Sequence, residues 1–335
     1  MMTAAVLRGK EHIEIEQVPV PELGVGDLLV RVRAALTCGT DVKVFRRGYH
    51  AKMLVPPALF GHEVAGDVVA GQDSMIGKRV VAANSAPCGT CRYCLKNKPN
   101  LCEDLLFNNG AYAEYIRVPA RIALKNTHEI PAGIDYRDAA LTEPLACVLK
   151  GLDDTAPQPG DTVTVIGLGP IGMMFVILAK LRGARVIAVG RREEQIAQAK
   201  RLGADEGVTG DMVTGVRSLT EGQGSDIVIE AVGKPETWNA AVHMLRRGGT
   251  VNFFGGPPAG THVSLDTNLL HYSELTCKAS FHHTPEHIRR AFEIICAGHV
   301  TASQFVTREA PLTALPAIMA ELAAQNGALK TAIVP

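Results

Sequence analysis

Four of the chain's eight cysteines fall within the fifteen residues CGTCRYCLKNKPNLC, at Cys88, Cys91, Cys94 and Cys102. Zinc takes four ligands in a tetrahedron, and two-residue spacers form a knuckle that turns successive thiolates toward one point. Four thiolates leave such a site with surplus negative charge, which Arg92, Lys96 and Lys98 in the same loop partly offset. Disulfides are disfavoured in a chain with no secretory signal, and an iron–sulfur cluster uses the same ligands. Structural zinc is the preferred reading. A closed four-thiolate shell has no position for substrate, so it stabilises its lobe, with roughly 10–16 kcal/mol of metal-binding energy available to fold it.

Two other segments combine metal-competent side chains with a glycine: CGTD at Cys38–Asp41 and GHE at Gly61–Glu63. A lone histidine in an apolar strand is more often an ordinary core residue, but TEPLAC, Thr142 to Cys147, adds a further carboxylate and thiol. GLGPIG, with Gly167, Gly169, Pro170 and Gly172, is a GxGxxG that follows an apolar strand and opens a helix, the context in which its backbone approaches a pyrophosphate. The next strand ends in VIAVGRREEQ, with Gly190 where an acid would hold the adenine-ribose hydroxyls of NAD. Without that carboxylate a 2′-phosphate is not repelled, and Arg191 and Arg192 offer it bidentate partners. NADP is therefore favoured over NAD, although Glu193 or Glu194 would still reach a ribose.

These residues need elements to hold them. Up to residue 144, short β-branched runs such as Leu28–Val32, Val64–Val69 and Lys78–Ala82 are punctuated by Pro and Gly and predict an irregular, mostly β domain. From Asp161 the pattern becomes strict alternation. Strands are expected at Val163–Ile166, Val186–Val189, Ile227–Glu230, Val251–Phe254 and Leu275–Ser280, with helices at Ile171–Arg182, Arg192–Leu202 and Thr237–Arg246. That order predicts an α/β, doubly wound parallel sheet. In TPEHIRRAFEIICAGHV, Thr284 is placed as a cap, Pro285 as the first helical residue and Gly298 as a stop, so His282, His283 and His287 read as surface histidines. A helical LTALPAIMAELAAQ and an apolar LKTAIVP follow.

With 34 Lys+Arg against 34 Asp+Glu, no general attraction to nucleic acid or anionic lipid is expected. At roughly 100–200 residues per domain, 335 residues suggest two domains. The opening MMTAAVLRGKEHIEIE lacks the features of a secretory signal, which predicts a cytoplasmic protein. Val163 to Leu181 is apolar enough to imitate a membrane span, but its glycines and Pro170 favour strand, turn and helix instead.

In order and spacing, CGTD, GHE, the four-cysteine run, EPLA and GLGPIG resemble the zinc-dependent medium-chain dehydrogenase/reductase superfamily across essentially the whole chain, within its polyol (sorbitol) and threonine dehydrogenase branch. The resemblance implies a GroES-like catalytic domain (1–144) carrying the structural-zinc lobe (88–102), a Rossmann domain (145–281) inserted after it, and a C-terminal segment (282–335) that completes the first. It implies two zincs per chain. Cys38, His62 and Glu143 would ligate the catalytic zinc, Glu143 directly or through water, with Glu63 beside it and Thr40 touching the substrate oxygen. Ile171, Phe254, Gly255, Phe281 and His282 would line the cofactor. The implied reaction passes a hydride between a secondary alcohol, such as a polyol, sugar derivative or amino alcohol, and NAD(P), giving a ketone. The alternative is a catalytically silent member of the fold. A homo-dimer or homo-tetramer is implied as well.

Two features depart from the pattern. Lys43 stands where the family's proton relay often has a histidine, and the segment after GHE is trimmed. Cys147, Cys277 and Cys296 are left as packing residues.

Overall fold

Strands buried on both faces need no polar side, and the β-branched runs flanking GLGPIG follow that rule. In the computed structural model, which describes residues 1–50, 52–324 and 329–335, Cys147–His282 is one unit and Met1–Ala146 with His283–Pro335 is another. The former contains an all-parallel six-stranded sheet in the order Glu206–Val208, Arg185–Val189, Thr162–Ile166, Ser225–Glu230, Leu245–Phe253, Thr276–Ala279. Chain order reverses at Thr162–Ile166, so GLGPIG leaves the sheet at its topological switch point. The following helix, Pro170–Leu181, is buried from Gly172 through Ala179. Its 12 residues reach only about 18 Å, short of the roughly 30 Å of a bilayer core. Among the described residues no helix is long and apolar enough to cross a membrane.

Three details of this unit differ from expectation. The helix forecast at Thr237–Arg246 is Pro235–His243, and the strand after it begins at Leu245. Arg217 accounts for this early turn into the sheet, because its guanidinium donates to the carbonyls of both His243 and Leu245. The strand Glu206–Val208 and the helix Met212–Leu219 are additional to the elements expected; Asp211 caps that helix by accepting from the Val213 and Thr214 amides. Cys277 is not a packing residue, since all four residues of Thr276–Ala279, the last strand of the sheet, are exposed.

The other unit is built on a seven-stranded sheet in the order Thr127–Glu129, Arg79–Ala82, Val64–Gly71, Leu28–Leu36, Lys330–Val334, Val306–Pro311, with Tyr115–Val118 also paired to Leu28–Leu36. Lys330–Val334 runs antiparallel to the end of Leu28–Leu36, setting Ala332 opposite Leu36. The chain's last strand thus lies beside the approach to CGTD. Leu7, Phe60, Tyr112, Ile122, Leu315 and Ile333 are among the buried side chains of its core. Thr284 caps the helix Pro285–Cys296, with Pro285 in its first turn. The last helix is Leu315–Ala324; Gln325, the end of the forecast helical run, lies outside the described residues. Ser85–Ala86 pairs with Leu106–Phe107 at the base of the four-cysteine lobe.

Candidate functional site

The lobe's four sulfurs form a tetrahedron of the size zinc requires. Four of their six separations are 3.5 Å for Cys88 and Cys102, 3.6 Å for Cys91 and Cys94, 3.8 Å for Cys91 and Cys102, and 4.0 Å for Cys88 and Cys94, and all four sulfurs lie within 4.8 Å of one another. Tetrahedral Zn–S bonds of about 2.3 Å imply an S···S edge of about 3.8 Å. The knuckle aims backbone donors at sulfur: the Thr90 and Cys91 amides approach Cys88 Sγ at 3.4 and 3.3 Å, and the Cys88 amide approaches Cys102 Sγ at 3.2 Å. Those from Thr90 and Cys91 push the Cys88 thiol down to about 6, whereas burial pushes the Cys102 thiol up to about 12. Lys125 ties the lobe to the helix Ala120–Asn126 by donating to the Cys88 carbonyl at 3.3 Å.

The second centre begins with a helix cap. Cys38 is the N-cap of Gly39–Arg47; its sulfur accepts from the Thr40 amide at 3.4 Å, while Asp41 Oδ2 accepts from the Cys38 amide at 3.1 Å. A cysteine thus takes the part usually played by Ser or Thr in a capping box. With one oxygen turned back on the cap, the other oxygen of Asp41 reaches His62 Nδ1 at 2.9 Å. Nδ1 must donate to a carboxylate, so in the neutral ring Nε2 carries the lone pair that a metal would take. Burial works to lower the His62 pKa, but Asp41 and Cys38 together hold it well above its ordinary value.

Gly61 sets up this approach. It adopts φ +89°, and a Cβ there would lie 2.5 Å from the Tyr112 ring. The Gly110 and Ala111 amides both donate to the Gly61 carbonyl, bringing Tyr112 against GHE. The Tyr112 hydroxyl lies 2.6 Å from Asp41 Oδ2 and 3.1 Å from the Leu36 carbonyl.

Donor atoms of Cys38, His62 and Glu63 all lie within 4.8 Å of one another. Glu143 falls outside this trio, in the first turn of Thr142–Thr155, where burial above all pushes its carboxyl up to about 7, with His62 opposing. His283 Nε2 is 3.9 Å from Glu143 Oε1 and 3.0 Å from Asn84 Oδ1. His283 is buried, not the surface histidine expected beside the helix cap Thr284. The potential anions Cys38, Asp41, Glu63 and Glu143 outnumber the cations gathered here, a donor set and charge balance that suit a divalent metal.

Glu63 is fully buried, and both its oxygens are engaged by Lys330 Nζ, at 2.6 and 2.5 Å. Lys330 also donates to the Thr37 carbonyl at 3.0 Å. Burial opposes its charge, but Glu63 keeps its pKa above the usual lysine value. Lys330→Met is expected to destabilise the protein by about 3–5 kcal/mol, because it strands a buried carboxylate. Adding Glu63→Gln should recover much of that loss. Urea denaturation of the single and double variants is the measurement, and a cost below about 1 kcal/mol for Lys330→Met would contradict the account.

In the other unit, Gly172 is required by close packing: a Cβ there would stand 1.8 Å from the Gly167 carbonyl oxygen. At Gly190 a Cβ would come within 2.8 Å of Leu168, whose side chain fills the space beside that position. Glu193, a candidate for the missing ribose ligand, accepts instead from the Thr209 hydroxyl at 2.8 Å. Arg191 is exposed just before the helix Glu193–Arg201, and Arg192 is its N-cap. Phe254 is half-buried and Gly255 buried beyond the strand Leu245–Phe253, while Phe281 is exposed and His282 takes φ 62°.

Taken together, the fold and the two sulfur-bearing centres define a zinc-binding dehydrogenase. Residues 24–131 match the alcohol dehydrogenase GroES-like domain, and residues 170–296 match the zinc-binding dehydrogenase domain. The chain is 33% identical to an L-threonine 3-dehydrogenase of Bacillus licheniformis over 279 residues, covering 78% of each chain. It is 29% identical to a sorbitol dehydrogenase of Bacillus subtilis, covering 100% of this chain and 97% of that one. A zinc-binding dehydrogenase structure from Sinorhizobium meliloti 1021, bound to NADP, superposes with a TM-score of 0.91 at 32% identity, covering 100% of this chain and 99% of that one. The chain belongs to the zinc-dependent medium-chain alcohol dehydrogenase family. It is an alcohol oxidoreductase that uses zinc and a nicotinamide cofactor.

Asp41, Tyr112, Lys330 and His283 were missed as parts of the site. Only Asp41 left a local signal, standing three residues after Cys38 at capping-box spacing.

Proposed function

We propose that this chain oxidises a secondary alcohol, of the polyol, sugar-derivative or amino-alcohol kind, and reduces the matching ketone, with NADP preferred over NAD. The observation that carries this reading is the meeting of Cys38 and His62 donors within 4.8 Å, with Asp41 orienting the imidazole. Two zincs per chain are proposed, one held by Cys88, Cys91, Cys94 and Cys102, the other by Cys38, His62 and Glu143. The second would supply Lewis-acid polarisation of the substrate oxygen. Residues 1–144 and 282–335 would carry both metals, and 145–281 the dinucleotide.

Each side chain has a task in this scheme. Cys38 and His62 hold the metal, Asp41 fixes the imidazole, and Glu63 with Lys330 keeps a neutralised wall behind them. The Thr40 hydroxyl would contact the substrate oxygen. Lys43, on the helix Gly39–Arg47, occupies the relay position as an exposed cation. Gly167, Gly169, Pro170, Ile171 and Gly172 admit the pyrophosphate, whose charge the helix N-terminus favours. Phe254, Gly255, Phe281 and His282 line the rest of the cofactor.

The NADP preference rests on Gly190, on Glu193 being engaged by Thr209, and on Arg191 and Arg192; the NADP-bound relative is consistent with it. Initial rates on polyols, β-hydroxy amino acids and simple alcohols with each cofactor test the whole reading. The variant carrying both Arg191→Ala and Arg192→Ala should raise KM for NADP by about ten-fold or more, the worth of a bidentate charged pair, and move KM for NAD little. Equal responses sink the phosphate assignment, and no turnover on any class sinks the dehydrogenase.

A cytoplasmic setting fits eight cysteines that form no disulfide, and a homo-dimer or homo-tetramer fits the exposed outer strand Thr276–Ala279, an edge that a second copy would cover. A monomer in sedimentation velocity would remove the oligomer.

A further inference from the structure

We propose that Tyr112 is a positioning residue for the catalytic metal, acting through Asp41 on His62. The inference rests on the zinc assignment proposed above and adds a member from a separate segment of the chain.

Asp41 is 2% exposed and has three approaching groups: the Cys38 amide at 3.1 Å and the Tyr112 hydroxyl at 2.6 Å on Oδ2, and His62 Nδ1 at 2.9 Å on Oδ1. Two of these groups belong to the residues assigned as ligands. A carboxylate between them serves as a hinge: if it rotates, both the Cys38 cap and the His62 ring lose their common reference. The Tyr112 hydroxyl is the donor that ties this hinge to the core rather than to the ligands.

The phenol is built for that part. Its side chain is fully buried, its ring meets Phe60 edge-on at 5.6 Å between centroids, and Gly61 leaves the space it fills. The 2.6 Å contact to a carboxylate is the shorter of its two contacts, so the single hydroxyl hydrogen goes to Asp41 and not to the Leu36 carbonyl at 3.1 Å. A phenylalanine would pack as well and leave Asp41 one donor short. A buried phenol at this point is therefore explained by what its oxygen does to Asp41, and packing alone does not require that oxygen.

Tyr112→Phe tests this by metal retention. Groups that orient a metal-bound histidine are worth about ten- to hundred-fold in metal affinity. Competition with a chromogenic chelator should show the more weakly held zinc of Tyr112→Phe leaving about ten-fold more readily or faster, while the four-cysteine zinc is unchanged and serves as the internal control. With cobalt at the catalytic position, the visible d–d bands should shift, a change that a purely structural loss does not produce. In an Asp41→Asn background, Tyr112→Phe should add little, because the tyrosine acts through that carboxylate. Unchanged metal retention and an unchanged cobalt spectrum would overturn the proposal, and so would full additivity with Asp41→Asn. Should Tyr112→Phe fail to fold, fluorotyrosine at position 112 keeps the ring and alters the donor; a shifted cobalt spectrum supports the role and an unshifted one rejects it. Wild-type zinc content separates the two claims. Zinc held at the four cysteines alone overturns both, whereas two zincs with a silent Tyr112→Phe removes only the tyrosine's role.

Discussion

Cys94→Ser is expected to release the lobe's zinc and unfold residues 88–102 locally, with zinc content falling by one per chain. The magnitude follows from the small size of the lobe. A two-stranded base, a four-residue helix and a three-residue 3-10 turn surround the four sulfurs, and Tyr93, Leu95 and Leu101 point to solvent. So few buried apolar groups cannot offset the backbone entropy of ordering the segment, roughly 1–2 kcal/mol per residue. Metal binding, at roughly 10–16 kcal/mol for comparable sites, is the largest favourable contribution open to the segment. A serine oxygen in place of one thiolate is a poor soft ligand, and the remaining three sulfurs would repel one another once deprotonated. The check is limited proteolysis combined with zinc analysis: cleavage should move to the lobe, while the sheet of Cys147–His282 stays resistant. A lobe that keeps its zinc or its protease resistance after the substitution would show that packing, not metal, holds it.

The doubly wound sheet was legible because its strands are short runs of β-branched residues bounded by glycine, and because strand, turn and helix follow one another at GLGPIG. Periodicity carries no such message for Glu206–Val208, three residues with one apolar member of consequence, or for the start of Leu245–Phe253, where LRRGG reads as polar. That start is fixed by Arg217, a partner distant in sequence. The site shows the same division. Cys38 and Asp41 are neighbours in one motif, and their spacing is local information. Lys330 reaches Glu63 across 267 residues, and a lysine in LKTAIVP looks like any strand-end cation until the sheet sets its strand beside Leu28–Leu36. Tyr112 and His283 likewise acquire their roles only from the groups the fold brings against them.

His62→Ala is the sharpest expected loss of function, with turnover falling by at least about 10³-fold. Lewis-acid polarisation of the reacting oxygen is worth several kcal/mol, and each 1.36 kcal/mol is ten-fold in rate. In the proposed site, removing the imidazole would both weaken metal retention and spoil the geometry of what stays bound. The fold should survive the change, because Asp41 keeps the Cys38 amide and the Tyr112 hydroxyl as donors after the imidazole is gone. The lobe's zinc should also stay, since none of its ligands depends on His62. Zinc analysis should therefore read one per chain instead of two, with cofactor binding followed by fluorescence unchanged, because GLGPIG and Arg191–Arg192 belong to the other unit. This separates His62→Ala from Cys94→Ser: one loses chemistry and keeps its lobe, the other loses its lobe first. Glu143→Gln gives the finer reading. An amide ligates poorly, so a direct ligand should cost turnover nearly as much as His62, whereas a carboxylate that acts through water should cost less and leave both zincs in place. Full turnover in His62→Ala would move the catalytic metal away from Cys38 and His62 altogether.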